Sequence, residues 1–239
     1  MSLLEIIERN RHALNKELAG SDKNWYFSAV TYSLYKSILP ILRENARGRL
    51  LDAGAGDLQF KSLLIKYAAR YESFDIERRQ DTVDYLGDVQ DMVEVPSNTY
   101  DTIFCNQVIE HVPSPQKALN EFFRILKPGG ALILAAPHLS RLHEEPNDYF
   151  RFTKYGFTYL LESAGFTDLM LSSAGGLLSF LSHQISTIIL GLCWRIPLVN
   201  KVVFQLNKVF LVELVVWVDE KSDSIKKFPL NTIAIARKQ

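Results

Sequence analysis

The sequence predicts an α/β fold with helices on both faces of a mostly parallel sheet, and three stretches carry that prediction. Leu50-Leu51-Asp52-Ala53-Gly54-Ala55-Gly56-Asp57 is an apolar run that breaks at two close glycines and leaves as a helical pattern: strand, tight turn, helix. Tyr71–Glu77 reads as a second short strand whose Asp75 lies roughly 20 residues beyond Gly54, one strand–helix–strand step. Residues 131–137, ALILAAP, form the continuous apolar run of a strand buried on both faces.

The elements follow in order. Leu3, Ile6, Ile7, Leu14 and Leu18 approach helical spacing over residues 2–19. Ser21-Asp22 opens a new turn ahead of the aromatic cluster Trp25-Tyr26-Phe27, and a helix over 29–46 follows, kinked or divided by Pro40. At the first strand's end, glycine lets the chain turn sharply and lets a ligand approach the main chain. Asp52 puts a carboxylate there, at the edge where open α/β sheets hold their ligands. Phe60, Leu63, Leu64 and Tyr67 then mark a helix laid on the sheet. Asp75 is placed to accept from both hydroxyls of a ribose, with Glu77 as a second candidate in the same turn.

Ser97-Asn98-Thr99 turns the chain into a strand over Tyr100–Cys105, which delivers Asn106 and Gln107 to the same carboxyl edge. Residues 115–126 are an amphipathic helix with Leu119, Phe122, Phe123 and Leu126 on one face, stopped by Lys127-Pro128-Gly129-Gly130. After the strand 131–137, residues 138–152 crowd His138, Arg141, His143, Glu144, Glu145, Asp148, Tyr149 and Arg151 into a proline-broken loop. Thr153 caps a further helix that ends at Gly165. Strands near 166–173 and 229–237 close the fold. Between them lies an apolar stretch with no place in a minimal domain. Ser, His, Gln, Lys and Glu interrupt it too often for a clean membrane span. Lys201, Gln205 and Lys208 form its one narrow polar stripe, so it needs either protein or a membrane interface as cover.

Composition narrows the function. Lys plus Arg and Asp plus Glu number 27 each, so no overall field draws in nucleic acid. Cys105 and Cys193 have neither metal-type nor disulfide-framework spacing, and Cys105 reads as a buried, inert thiol. No metal site is expected. The charged, amphipathic first residues lack the apolar core of a signal peptide, which makes a cytoplasmic location the expectation, with peripheral membrane contact as its variant.

A nicotinamide-binding turn would need a third glycine where this chain has Gln59. What remains, LLDAGAGD, resembles the first motif of class I S-adenosylmethionine-dependent methyltransferases, although Leu58 stands where that family often has another glycine. Tyr100–His111 is similar to the signature of the small-molecule, "type 11"-like branch, and LKPGGALIL is among the family's most recognisable strings. HEEPNDYFRFT resembles, more weakly, a pattern of bacterial methyltransferases associated with surface polysaccharides. The resemblance covers about residues 48–170 and the last strand.

It implies a Rossmann-like, doubly wound, seven-stranded sheet with an antiparallel last strand. The domains would be an N-terminal helical cap over 1–47, a cofactor-binding domain over 48–174 plus 228–239, and an apolar helical insertion over 175–227. It implies S-adenosyl-L-methionine as cofactor, held by Asp52, Gly54, Gly56, Asp75 and Asn106, with Asp88 and Val89 at the adenine. The reaction implied is methyl transfer to an O or N nucleophile of a small molecule, lipid-linked or saccharide in character. A hydroxyl acceptor needs its proton removed, which makes His138 the candidate base, with His111, His143 and Tyr149 behind it. Glu110 and His111 also read as a structural pair. The partners expected are the small-molecule acceptor, and a membrane surface or a second copy through 175–218. The alternatives are an NAD(P)-dependent oxidoreductase, or a non-catalytic cofactor-binding or membrane-associated protein.

Overall fold

The computed structural model describes residues 2–18, 20–78, 83–223 and 225–239. Among the described residues, seven strands, β1 (Arg49–Ala53), β2 (Arg70–Asp75), β3 (Tyr85–Leu86), β4 (Tyr100–Asn106), β5 (Leu126–Pro137), β6 (Thr167–Ala174) and β7 (Asn231–Arg237), form one sheet. Their spatial order is β3-β2-β1-β4-β5-β7-β6. β1 pairs in parallel with both β2 and β4, β4 pairs in parallel with β5, and β7 runs antiparallel to β5. This is the Rossmann-like fold expected, last strand included. The chain winds outward from β1 to β3 and restarts on β1's other side with β4. The crevice between the carboxyl ends of β1 and β4 is therefore the topological switch point, where such sheets bind ligands.

The helices are α1 (Leu3–Leu18), α2 (Ala29–Asn45), α3 (Lys61–Leu64), α4 (Pro115–Ile125), α5 (Lys154–Ser163), α6 (Leu177–Cys193), α7 (Val199–Leu206) and α8 (Leu214–Ser222). A 3-10 turn covers Asp22–Tyr26, and a π-helical stretch over Asn207–Glu213 joins α7 to α8. Residue 19, the end of the first expected helix, lies outside the described residues. α2 runs through Pro40 without a break. The chain divides into two compact units: residues 38–173 with 231–239, and residues 1–37 with 174–230.

In the sheet unit, large apolar side chains point inward. Leu51, Ile103, Leu132, Leu134, Phe122 and Phe157 share one core, and all six are fully buried. Thr153 caps α5 by accepting the Gly156 amide at 3.1 Å, as expected. The helix after the glycine turn is shorter than its pattern suggested, a single turn over Lys61–Leu64. Lys127–Gly130 does not separate α4 from the strand. β5 starts at Leu126, and the four residues form a bulge opposite Asp101. Gly129 supports it at φ +78°, and backbone bonds with Lys238 hold it from the other side.

In the helical unit, Leu14, Leu18, Phe27, Leu190 and Phe204 form a small core. Asn10 donates to the Gly191 carbonyl at 2.7 Å, and Gly191 admits Ile7 so closely that a Cβ there would meet Ile7 Cγ2 at 3.0 Å. Asp219 of α8 accepts the Leu178 and Ser179 amides at the start of α6, satisfying donors that a helix leaves open. α6 turns Ser179, Ser182, Ser186 and Thr187 inward and leaves Leu177, Leu178, Leu181, Ile185, Ile188 and Leu192 exposed. Lys201 and Gln205 are exposed, whereas Lys208 is half-buried with its ammonium 4.0 Å from the centre of the Tyr26 ring. Among the described residues, no helix is long and apolar enough to cross a membrane.

Candidate active site

Each loop at the switch point is shaped by backbone demands. Gly54 follows β1 at φ +78°, and a Cβ there would lie 2.1 Å from Val108 Cγ2. Gly54 is therefore required by Val108, in the loop after β4, as well as by its own backbone. Gly56, at φ +51°, has nothing within 4 Å of an added Cβ among the described residues. Its outer face is the open one. Leu58 also takes a positive φ, 58°, which explains why a glycine suits that position.

Two carboxylates line this turn. Asp75 ends β2 and accepts the Gly56 amide at 2.7 Å and the Glu77 amide at 3.0 Å, so it fastens the glycine turn from beneath. Asp52 is buried and accepts the Tyr71 hydroxyl at 2.9 Å. Burial pushes its carboxyl up to about 7; the hydroxyl works against that shift, and the neighbouring Asp75 charge adds to it. Asp88 follows β3 and is turned onto Gln90, accepting its amide at 2.8 Å, while Val89 is buried in the sheet core.

Asn106 ends β4, with its Oδ1 buried and without a hydrogen-bond partner among the described residues. Gln107 next to it has φ 57°, donates its amide to Ala135 at 2.8 Å, and donates its side chain to Asn231 Oδ1 at 3.1 Å. The Nδ2 of Asn231 is likewise buried without a partner. Asn231 was missed in the sequence, where its only signal is a polar residue opening an apolar strand. Two orphaned amide atoms at the sheet's carboxyl edge, an acceptor and a donor, suit a polar ligand.

The 138–152 loop is built around one clip. Arg151 holds both oxygens of Asp148, at 2.6 and 2.8 Å, and donates to the Arg141 carbonyl at 2.8 Å. The guanidinium holds the Asp148 carboxyl well below the usual range. The amides of Tyr149 and Phe150 donate to the Glu110 carbonyl, docking the loop on the 3-10 turn Ile109–His111. His111 and His143 come together here, whereas His138 stands outside that cluster with Nδ1 3.1 Å from the Phe152 carbonyl. The Tyr149 hydroxyl donates to Asn147 Oδ1 at 3.1 Å.

A doubly wound sheet with a glycine turn and carboxylates at its switch point defines a cofactor-binding α/β enzyme domain. A family model described as "Methyltransferase domain" matches residues 26–170, more than half of the chain. The chain belongs to that family, the class I S-adenosylmethionine-dependent methyltransferases, and its cofactor is S-adenosylmethionine. The open face of Gly56 and the buried orphan Oδ1 of Asn106 fit such a group. The NAD(P)-dependent alternative falls with this assignment.

Among curated relatives, the ubiquinone biosynthesis O-methyltransferase of Xanthomonas oryzae pv. oryzae is 27% identical over 103 residues, covering 38% of this chain and 43% of that protein. The protein of the same name from Alkalilimnicola ehrlichii is 33% identical over 88 residues, covering 37% of this chain and 31% of that protein. The matches thus span less than half the length of these relatives. Among solved structures, a SAM dependent methyltransferase from Archaeoglobus fulgidus superposes with TM-score 0.55 at 16% identity, covering 85% of this chain and 94% of that one. The [4+2]-cyclase SpnF superposes with TM-score 0.58 at 18% identity, covering 87% and 82%. These likenesses establish the fold alone.

Proposed function

We propose that the chain transfers a methyl group from S-adenosylmethionine to an oxygen or nitrogen of a small molecule, lipid-linked or saccharide in character. The observation that carries the reading is the pairing, at one sheet edge, of an open glycine turn with a polar loop rich in histidine. S-adenosylmethionine supplies an electrophilic methyl on a sulfonium. Asp52, Gly54, Gly56, Asp75, Asp88, Val89 and Asn106 are the residues assigned to hold it. Asp75 keeps lone pairs for ribose hydroxyls beyond the two amides it already accepts. The protein's main task is then positioning, which is worth roughly 7–11 kcal/mol when reacting atoms are held in line.

His138 is the proposed base for a hydroxyl acceptor. Its Nδ1 faces a carbonyl, which only accepts, so in the neutral ring Nδ1 carries the proton and Nε2 is left to take one. Tyr149, His111 and His143 are assigned to the acceptor side. We retain the division of labour read from the sequence, with cofactor binding in 48–174 and 228–239 and separate roles for 1–47 and 175–227. The test is calorimetry with S-adenosylhomocysteine, followed by transfer of labelled methyl groups into cell extract. His138→Gln should lower turnover far more than cofactor affinity. Equal loss of both would move this residue into the cofactor pocket, and tight binding of NAD in place of S-adenosylhomocysteine would sink the reading.

A second proposal concerns the helical unit: its exposed apolar face docks on an anionic lipid surface. The support is the inverted character of α6, small polar residues inward and large apolar ones outward. An open apolar groove of about 290 Å³ between α6 and the π-helical stretch with α8 adds to that face. Residues 175–218 also carry Arg195, Lys201 and Lys208 against the single acid Glu213. Anionic vesicles should retain the wild type, and Lys201→Glu should weaken binding by about 1 kcal/mol. A protein that ignores vesicles at low salt but sediments as a dimer would overturn this in favour of a second copy.

A further inference from the structure

A buried carboxylate and two histidines converge where the 138–152 loop docks. Glu110 is fully buried, and among the described residues neither Oε1 nor Oε2 finds a hydrogen-bond donor. Its Oε1 lies 3.6 Å from His111 Nε2 and 4.0 Å from His143 Nε2. The opposite nitrogen of each ring faces a carbonyl: His111 Nδ1 is 2.6 Å from Asn147 O, and His143 Nδ1 is 3.2 Å from Arg141 O. A carbonyl cannot donate, so in the neutral rings both protons sit on Nδ1 and both Nε2 lone pairs turn toward the carboxylate. Three acceptors then face one another with no donor among them. Such a group is repulsive until a proton or a cation enters it.

We propose that Glu110, His111 and His143 bind a divalent transition cation of the zinc or ferrous type, leaving a coordination position for water or an acceptor oxygen. One ligand atom from each residue already lies within 4.8 Å of the other two. Ligands about 2.0–2.2 Å from a tetrahedral ion stand roughly 3.3 Å apart, so the Glu110–His111 pair is nearly in place. The His143 ring has only to swing inward. Two imidazole nitrogens with one carboxylate select such an ion over magnesium or calcium, which prefer oxygen.

The surroundings support that assignment. The two carbonyls fix the tautomers, as outer partners of metal-bound histidines do. Asp148 Oδ2 accepts the His143 amide at 2.9 Å and lies 3.5 Å from its Nδ1, and Arg151 anchors that carboxylate in turn. Cation binding itself is independent of the proposed methyl transfer; only the use of the open position rests on that reading.

The experiment titrates the full chain, stripped by chelation, with Zn²⁺ in a calorimeter and with Co²⁺ by visible absorption. About one ion per chain should bind, with Co²⁺ bands of low-coordinate intensity and a Zn²⁺-dependent rise in melting temperature. Glu110→Gln and His143→Gln should each weaken binding by more than about tenfold and abolish the thermal rise. His111→Gln supplies the same measurement if Glu110→Gln does not fold. A wild type whose melting ignores Zn²⁺, or folded variants that bind as tightly as wild type, would overturn the site. S-adenosylhomocysteine binding is read in the same samples. Its loss with ion uptake intact counts against the methyltransferase function and leaves the metal site standing.

Discussion

A strand of the sheet unit, β5, and a helix of the helical unit, α6, treat the same residue types in opposite ways. In the sheet unit Leu132, Ile133 and Leu134 are fully buried along β5, and buried polar groups such as Asp52, Asp75 and Asn231 sit at the sheet's carboxyl edge. In the helical unit Ser179, Ser182 and Ser186 are buried, while Leu181, Ile185 and Ile188 of the same helix are exposed. β5 follows the ordinary rule of an apolar core. α6 breaks it along most of its length, although leaving apolar surface in water costs about 25 cal/mol per Å². The difference teaches where to look for partners: the sheet unit offers a crevice for ligands, and the outer face of α6 is where the proposed lipid contact is to be tested.

The largest effect expected within this contrast comes from a glycine. Gly54→Val would set a side chain on Val108 at a positive φ that a β-branched residue avoids, and should cost more than about 4 kcal/mol, unfolding the sheet unit in a thermal melt. Gly56→Ala has the same backbone problem but open space. It should cost only about 1–2 kcal/mol, with the deficit appearing in S-adenosylhomocysteine affinity. If both variants melt alike, the crowding against Val108 is not what demands Gly54.

The next effect compares the two apolar populations directly. Leu132→Ala should cost about 2–5 kcal/mol, as buried leucines do. Ile185→Ala, nearly half exposed, should stay within about 0.5 kcal/mol in lipid-free buffer yet reduce vesicle binding. Equal losses in the chemical melts of these two variants would mean that the outer face of α6 is covered in solution.

A smaller effect concerns buried charge. The Asp52 carboxyl is raised to about 7 in the folded chain against an ordinary value near 4, so the fold binds the extra proton between those limits. Its destabilising contribution is absent below about pH 4, grows from there to about pH 7, and is complete above it. Asp52→Asn should therefore raise the melting temperature of the cofactor-free protein at pH 8 and leave it unchanged at pH 4. A flat difference across that range would mean that the carboxyl titrates normally. A modest effect should follow Asp219→Ala, which removes the acceptor at the start of α6 and costs about 1 kcal/mol in the helical unit alone.

Residues close in sequence carried most of what could be read without coordinates. The strand–turn–helix at Gly54, the buried run of β5 and the amphipathic face of α4 are local patterns, and a local pattern is set by backbone geometry and side-chain period. That sufficed for the fold class, whereas the antiparallel last strand and the cofactor came from the family resemblance that LLDAGAGD and LKPGGALIL carry. Tertiary structure alone decided the rest, because its causes are contacts between residues far apart in the chain. No spacing rule shows that Gly54 is pressed by Val108, or that Gln107 meets Asn231. A histidine in a proline-broken loop gives no sign that it will face Glu110 with its lone pair. The turning of α6 is the clearest case. Its composition demands cover, but which face lies inward depends on what packs there: Ile7 presses on Gly191 near one end, while Ser179 and Ser182 meet Asp219 and the Leu211 carbonyl toward the other.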